Sequence, residues 1–240
     1  MLRVNWNYIK AFLLLALVVF LYAFSSQRNN DRKLSDLTVK FIGNDNLYIT
    51  QETVNKLLIQ NKESITSVPK EILDLNGLES VLNSNSMIKS AEVYVTVNGE
   101  VKAEVEQRKP IARVNTNVSY YIDDQGLYMP LSSNHSARVP LVTGFVDKNQ
   151  LENVFIIADK IHNDAFLKKH IVEIHQNEDK SINLKTRVLD FEITLGNLEH
   201  LDKKINNLKA FYQKAKKDNA LINYSKVNLK FENQVVCTKK

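Results

Sequence analysis

The apolar positions of this chain form one solid block first, then helical periods, then strict alternation. The block lies in WNYIKAFLLLALVVFLYAF, where residues 11–24 are apolar without interruption. Those residues alone rise only about 21 Å in a helix, short of a hydrocarbon core of about 30 Å. Counting Tyr8 and Ile9, letting Lys10 snorkel and seating Trp6 at the interface supplies the missing length. The pattern predicts one transmembrane helix over residues 8–27, behind a tail of residues 1–7. The alternative is a cleaved signal peptide, because Ala23-Phe24-Ser25 is a passable processing context; Tyr22 and Phe24 read instead as interfacial aromatics. Flanking charge leaves orientation open: Arg3, Lys10 and the amino terminus nearly balance Arg28, Arg32 and Lys33.

A polar linker, residues 28–35, leads to a strand through residues 39–42. Thr50 then reads as the N-cap of a helix presenting Val54, Leu57 and Leu58 on one face. Pro69 breaks the connection, and Leu78, Val81 and Leu82 mark a second short helix. The clearest alternation follows, with Ala91, Val93, Val95 and Val97 on one side, and Val101, Ala103 and Val105 after it. Asn98-Gly99 between the runs predicts a two-residue type I′ hairpin. Pro110 cannot donate to a ladder and holds Lys109 extended, so the strand stops there and IARV restarts it, as a corner between two sheets. SYYIDDQGLYMPLS predicts another hairpin turning at Gly126, with Asp123 and Asp124 shaping the turn, and VPLVTGF a further strand. One helix is expected across NQLENVFIIADKIHNDAFLKKH. Strands follow at IVEIHQN, SINLKTRV and FEITLG. A second helix aligns Leu198, Leu201, Ile205, Leu208, Phe211 and Ala215, with its lysines on the solvated side. INYSKVNLKFENQVVC closes the chain with one or two strands. The fold class is α+β: a single N-terminal transmembrane helix, a βααββ domain, then a β-rich domain with flanking helices.

Composition changes this picture little. The 240 residues are 44% apolar and 25% charged, with six Gly and four Pro, an ordinary globular balance. A net charge of +5, scattered and without an aromatic-basic motif, points to a solvated surface and to no nucleic acid partner. The single Cys237 rules out an internal disulfide and stands far from the position of a lipid anchor. Five histidines, at 135, 162, 170, 175 and 200, show no metal-ligand spacing, and no GxSxG, SxxK or phosphate-loop motif occurs. No catalytic residue, metal, cofactor or small-molecule substrate is expected, and the chain reads as no enzyme.

The order of these elements resembles the FtsQ family of bacterial cell-division proteins (FtsQ/DivIB type), with motif wording most like the Bacteroidetes versions. The likeness is carried by VKFIGNDNLYITQETV, by LESVLNSNSMIKSAEVYVTVNGEVKAEVEQRKPIARV, by YYIDDQGLYMPLS with VPLVTG, and by VNLKFENQVVC. It implies a POTRA domain over residues 36–108 and a β domain over residues 109–240, both periplasmic, with a cytoplasmic amino terminus in the inner membrane at the division septum. It also implies a divisome scaffold that binds FtsB-like and FtsL-like bitopic proteins and helps control the septal peptidoglycan synthase complex. In the family a partner segment adds to the sheet edge at the last strands. Within them Tyr224, Val227, Leu229 and Phe231 are the candidate partner-binding residues, chosen by pattern. The core is the competing place for Val227, Leu229 and Phe231, which share one face; Tyr224, on the other parity, is the better surface residue. Arg108 and Pro110 match the family's junction and read as structural. The chain departs from many relatives in lacking a long basic cytoplasmic tail, so no cytoplasmic partner is expected. Two other readings are a POTRA-containing outer-membrane or secretion factor, for which there is no room for a barrel, and a membrane-tethered cell-wall binding or hydrolytic protein.

Overall fold

The computed structural model describes residues 6–30, 37–43, 46–59, 73–231 and 233–240. Pro69, the connection around it, and Arg32 and Lys33 of the linker lie outside the described residues. Helix α1 (Trp6–Asn30) opens the chain, and its stretch Trp6–Gln27 is long and apolar enough to cross a membrane. The helix continues beyond its apolar part into residues that the pattern assigned to the linker. Past it, the chain divides between Gln107 and Arg108 into two compact units.

The N-terminal unit contains β1 (Leu37–Ile42), α2 (Gln51–Ile59), α3 (Leu75–Asn83), β2 (Ile88–Val95) and β3 (Val101–Gln107). Its sheet has the order β1-β3-β2, with β1 parallel and β2 antiparallel to β3. Val54 and Leu58 of α2 and Leu78 and Leu82 of α3 are buried against Val39, Ala91, Val93, Val101, Ala103 and Val105. That is one face of each strand, as a period of two requires. Thr50 caps α2 by accepting the Thr53 N–H at 3.2 Å. Buried Gln107 ties the far end of the sheet to the segment before α2: its Oε1 accepts the Tyr48 and Ile49 N–H groups at 2.9 and 3.2 Å, and its Nε2 donates to Ile49 O at 2.8 Å.

The turn between β2 and β3 differs from the expected type. Gly99 has φ of 89°, whereas Asn98 is not in the positive region. Gly99 N–H donates to Thr96 O at 3.0 Å and Thr96 N–H to Glu100 O at 2.9 Å. This is a three-residue loop, a turn centred on Val97-Asn98 with Gly99 in the left-handed bulge position. A two-residue type I′ turn would need positive φ at two central residues. Val97 therefore leaves the ladder and is 81% exposed.

The C-terminal unit contains β4 (Pro110–Asn115), β5 (Ser119–Asp123), β6 (Tyr128–Met129), β7 (Leu141–Gly144), α4 (Glu152–Asn163), α5 (Ala165–His170), β8 (Ile171–Gln176), β9 (Ile182–Thr186), β10 (Glu192–Gly196), α6 (Leu201–Lys217), β11 (Tyr224–Asn228) and β12 (Val236–Lys239). These strands form one nine-stranded sheet in the order β12-β11-β10-β9-β8-β7-β4-β5-β6. The core gathers inward residues of the strands with Val154, Ile157 and Ile161 of α4 and Ile205 and Leu208 of α6. On the opposite parity, Glu173, Lys185, Glu192 and Lys226 stand opposite one another in register across β8 to β11.

The single helix expected before β8 is two. Asp164 leaves helical geometry and its Oδ1 accepts the Phe166 and Leu167 N–H groups, so it caps a new helix instead of continuing the old one. The lysines of α6 are also not uniformly solvated. Lys204 is buried, its ammonium donating to Asn197 O and Oδ1 at 2.7 and 2.8 Å.

Asp123 explains the hairpin DDQG. Fully buried, it accepts the Gln125 and Leu127 N–H groups on Oδ1 and the Arg108 guanidinium on Oδ2 at 2.6 Å. One carboxylate thus shapes the turn ahead of Gly126 (φ 79°) and holds the first residue of the unit. The same loop design recurs between β8 and β9, where Lys180 (φ 64°) occupies the position that glycine fills elsewhere.

Candidate partner-binding edge

The last strand pair ends the large sheet. β11 runs parallel to β10 and antiparallel to β12, so both of its sides are paired, and β12 is the outer strand. Which groups β12 turns outward follows from the hydrogen-bond alternation of an antiparallel pair. Lys240 N–H donates to Asn223 O at 2.8 Å, and Leu229 N–H donates across to Thr194 O at 2.8 Å. The pairs Lys226–Thr238 and Asn228–Val236 are therefore the hydrogen-bonded ones. Val236 and Thr238 spend their backbone groups on β11, while Cys237 directs both of its groups away from the sheet and the Lys239 carbonyl accepts the Ser225 hydroxyl at 3.3 Å.

The four candidate side chains fall in different places. Val227 and Leu229 are in the core, with 0% and 1% of their surface exposed. Tyr224 is half-buried, and its ring packs edge-on against Phe211 at 5.4 Å between centroids. Parity alone put Tyr224 on the surface; an irregularity between Tyr224 and Lys226 shifts the register and returns the ring to the core side. Phe231, just after β11, is 47% exposed. Val236, 42% exposed on β12, and Ile222, 70% exposed just before β11, are apolar surface residues that the sequence reading passed over. The signal for Val236 was present in QVVC, where alternation places it opposite the inward Cys237.

Cys237 is half-buried against the core, and burial pushes its thiol up. Elsewhere on the sheet the nearest approach to a chemical grouping is Thr143, whose hydroxyl lies 2.9 Å from both Glu173 Oε1 and His175 Nδ1. Glu173 is committed to Lys185 at 3.0 and 2.9 Å. Burial pushes its carboxyl up, but hydrogen bonds from Lys185 and Thr143 outweigh this and hold it below the usual carboxylate range. Among the described residues no three of His, Cys, Asp and Glu converge as a metal cage would require.

Comparison with known proteins assigns both units. Residues 41–106 match the POTRA-like domain model. Residues 109–238 match the model described as FtsQ/DivIB, C-terminal related. The chain is 20% identical over 179 residues to the cell division protein FtsQ of Geotalea daltonii, and 24% identical over 179 residues to that of a Geobacter species. Each alignment covers 70% of this chain and 64% of the relative, so the chain spans somewhat under two thirds of the length of the curated relatives it matches. With an apolar N-terminal helix, a POTRA-like unit and a β-rich unit whose model match covers more than half of its length, the chain belongs to the FtsQ/DivIB family, in the group related through the C-terminal domain.

Proposed function

We propose that this protein is a bitopic scaffold of the bacterial division machinery. In this reading residues 1–7 are cytoplasmic, residues 8–27 cross the inner membrane, and residues 28–35 link to a periplasmic POTRA domain (36–108) and β domain (109–240). The scaffold binds FtsB-like and FtsL-like proteins and helps control septal peptidoglycan synthesis without catalysis of its own. The observation that carries this reading is the outward row of backbone groups on β12, at the end of a family-matched domain. A row of unpaired N–H and C=O groups is a template for an added strand. The backbone of Cys237 and the N–H of Lys239 supply the hydrogen bonds, and the exposed Val236 and Phe231 supply apolar contact. Val227 and Leu229 act from beneath, by holding β11 in place.

Depletion of the protein in its native bacterium tests the cellular role: long unseptated filaments are expected, whereas normal cell length with secretion or outer-membrane defects would overturn it. A photo-crosslinker at Thr238 tests the site. It should capture a small single-pass protein, and capture only from positions on the N-terminal unit would move the interface there.

A further inference from the structure

The N-terminal sheet also has two outer strands, and helix side chains reach the backbone of both. Along β2 the outward backbone groups belong to Ala91 and Val93, because Glu92 and Tyr94 face their partners on β3. The side chain of Asn83 takes both groups of Ala91. Ala91 N–H donates to Asn83 Oδ1 at 2.8 Å, and Asn83 Nδ2 donates to Ala91 O at 3.2 Å. A carboxamide bonded in this manner reproduces one peptide unit of a neighbouring strand. One turn earlier on α3, Glu79 Oε2 accepts the Val93 N–H at 3.4 Å. Residues four apart share a helix face, so α3 lays both side chains along the strand edge. On the other outer strand, Gln51 Nε2 donates to Val39 O at 2.8 Å.

We propose that Asn83 and Glu79 close the β2 edge against strand addition, and that the strand they exclude first is β2 of a second copy of this chain. Two β2 strands meeting antiparallel would pair Ala91 with Val93 of the partner copy, through groups of which Ala91 N–H, Ala91 O and Val93 N–H are now occupied. Such a pair centres on Glu92, an exposed residue, which would stand against its own counterpart and oppose the pairing by like charge. Helix, carboxamide and central carboxylate thus act in the same direction. The closed edge stands on these bonds alone. Its consequence, that an incoming partner strand is left with β12, rests on the function proposed above.

The test uses the full chain in detergent with Glu92→Cys and Cys237→Ser, comparing Asn83 and Glu79 intact with Asn83→Ala and Glu79→Ala together. Position 92 is a non-hydrogen-bonded site of the excluded pair, where facing α-carbons approach to about 4.5 Å, close enough for a disulfide. At least tenfold more disulfide-linked dimer is expected when the two caps are removed. A variant that keeps its circular dichroism spectrum yet crosslinks no more than the control overturns the proposal. Should that variant unfold, amide exchange in the unmodified chain decides the matter. Ala91 must exchange as slowly as Tyr94, whose amide pairs with β3; exchange as fast as at Asn98 in the loop overturns it. Loss of binding to β12 in cells would leave both results unchanged, so the two proposals fail separately.

Discussion

The two sheets finish their edges by opposite means. In the N-terminal unit α3 turns an amide and a carboxylate onto Ala91 and Val93, and α2 turns an amide onto Val39. In the C-terminal unit the outer strand β12 keeps the backbone of Cys237 and the N–H of Lys239 facing outward at the end of nine strands. The exposed faces, by contrast, are alike: the small sheet pairs Lys40 with Glu104 at 3.2 Å and Lys89 with Glu106 at 3.5 Å, and the large sheet pairs Lys185 with Glu173 at 2.9 Å. What this contrast teaches is that an unpaired edge is a choice made by the residues beside it. A strand is closed or open according to whether a helix nearby offers a donor and an acceptor at peptide spacing.

The contrast breaks most sharply at position 237. Cys237→Pro removes an outward N–H and leaves the β11 ladder intact, so partner affinity should fall about 100-fold, or about 2.7 kcal/mol, with the unfolding midpoint nearly unchanged. Thr238→Pro removes an inward N–H and should instead destabilise the sheet. Titration with the soluble part of an FtsB-like partner, beside thermal unfolding, separates the two; equal effects would refute the assigned alternation. Next in size, Gln107→Leu strands the Tyr48 and Ile49 amides in a buried site and should cost about 2 kcal/mol. Chemical denaturation should show this loss in the N-terminal unit, with partner affinity retained.

A smaller effect concerns acid. The Glu173 carboxyl is depressed in the folded state, so its contribution is fully present above its unfolded value of about 4.3 and is lost as pH falls through the lower folded value. Glu173→Gln should lower stability near neutrality, where that contribution is complete, and flatten the profile below about pH 4.3. Smallest is Lys180→Gly, which relieves left-handed strain at the cost of chain entropy, for a gain of about 0.5 kcal/mol. A loss there would show that the Lys180 side chain does more than occupy a turn.

Much of this architecture can be read from residue pattern, because alternation and the helical period report which face is buried. The buried rows of β2 and β3, the cap at Thr50 and the strand break before Pro110 are all local, and local sequence carries them. What escapes is set by single residues or by distant partners. The loop after β2 is one residue longer than Asn98-Gly99 implies, since an asparagine that declines positive φ leaves Gly99 to turn alone. Lys204 is buried because Asn197 waits for it, a pairing that no period encodes. Tyr224 changes side because one irregularity resets the parity downstream. Edge identity is the least legible of all: β12 is outermost only because β7 lies beside β4 and β11 beside β10, an order fixed by crossovers.

The charges at Glu173, Lys185, Glu192 and Lys226 have a bearing on how such a sheet is assembled without error. Each sits opposite its contrary on the next strand, from β8 through β11. A strand that slips by one position exchanges Lys185 for Leu184 and drives an ammonium into the core. Four adjacent strands thereby carry a checksum: a register in which like charges face, or a lysine turns inward, is disfavoured side chain by side chain.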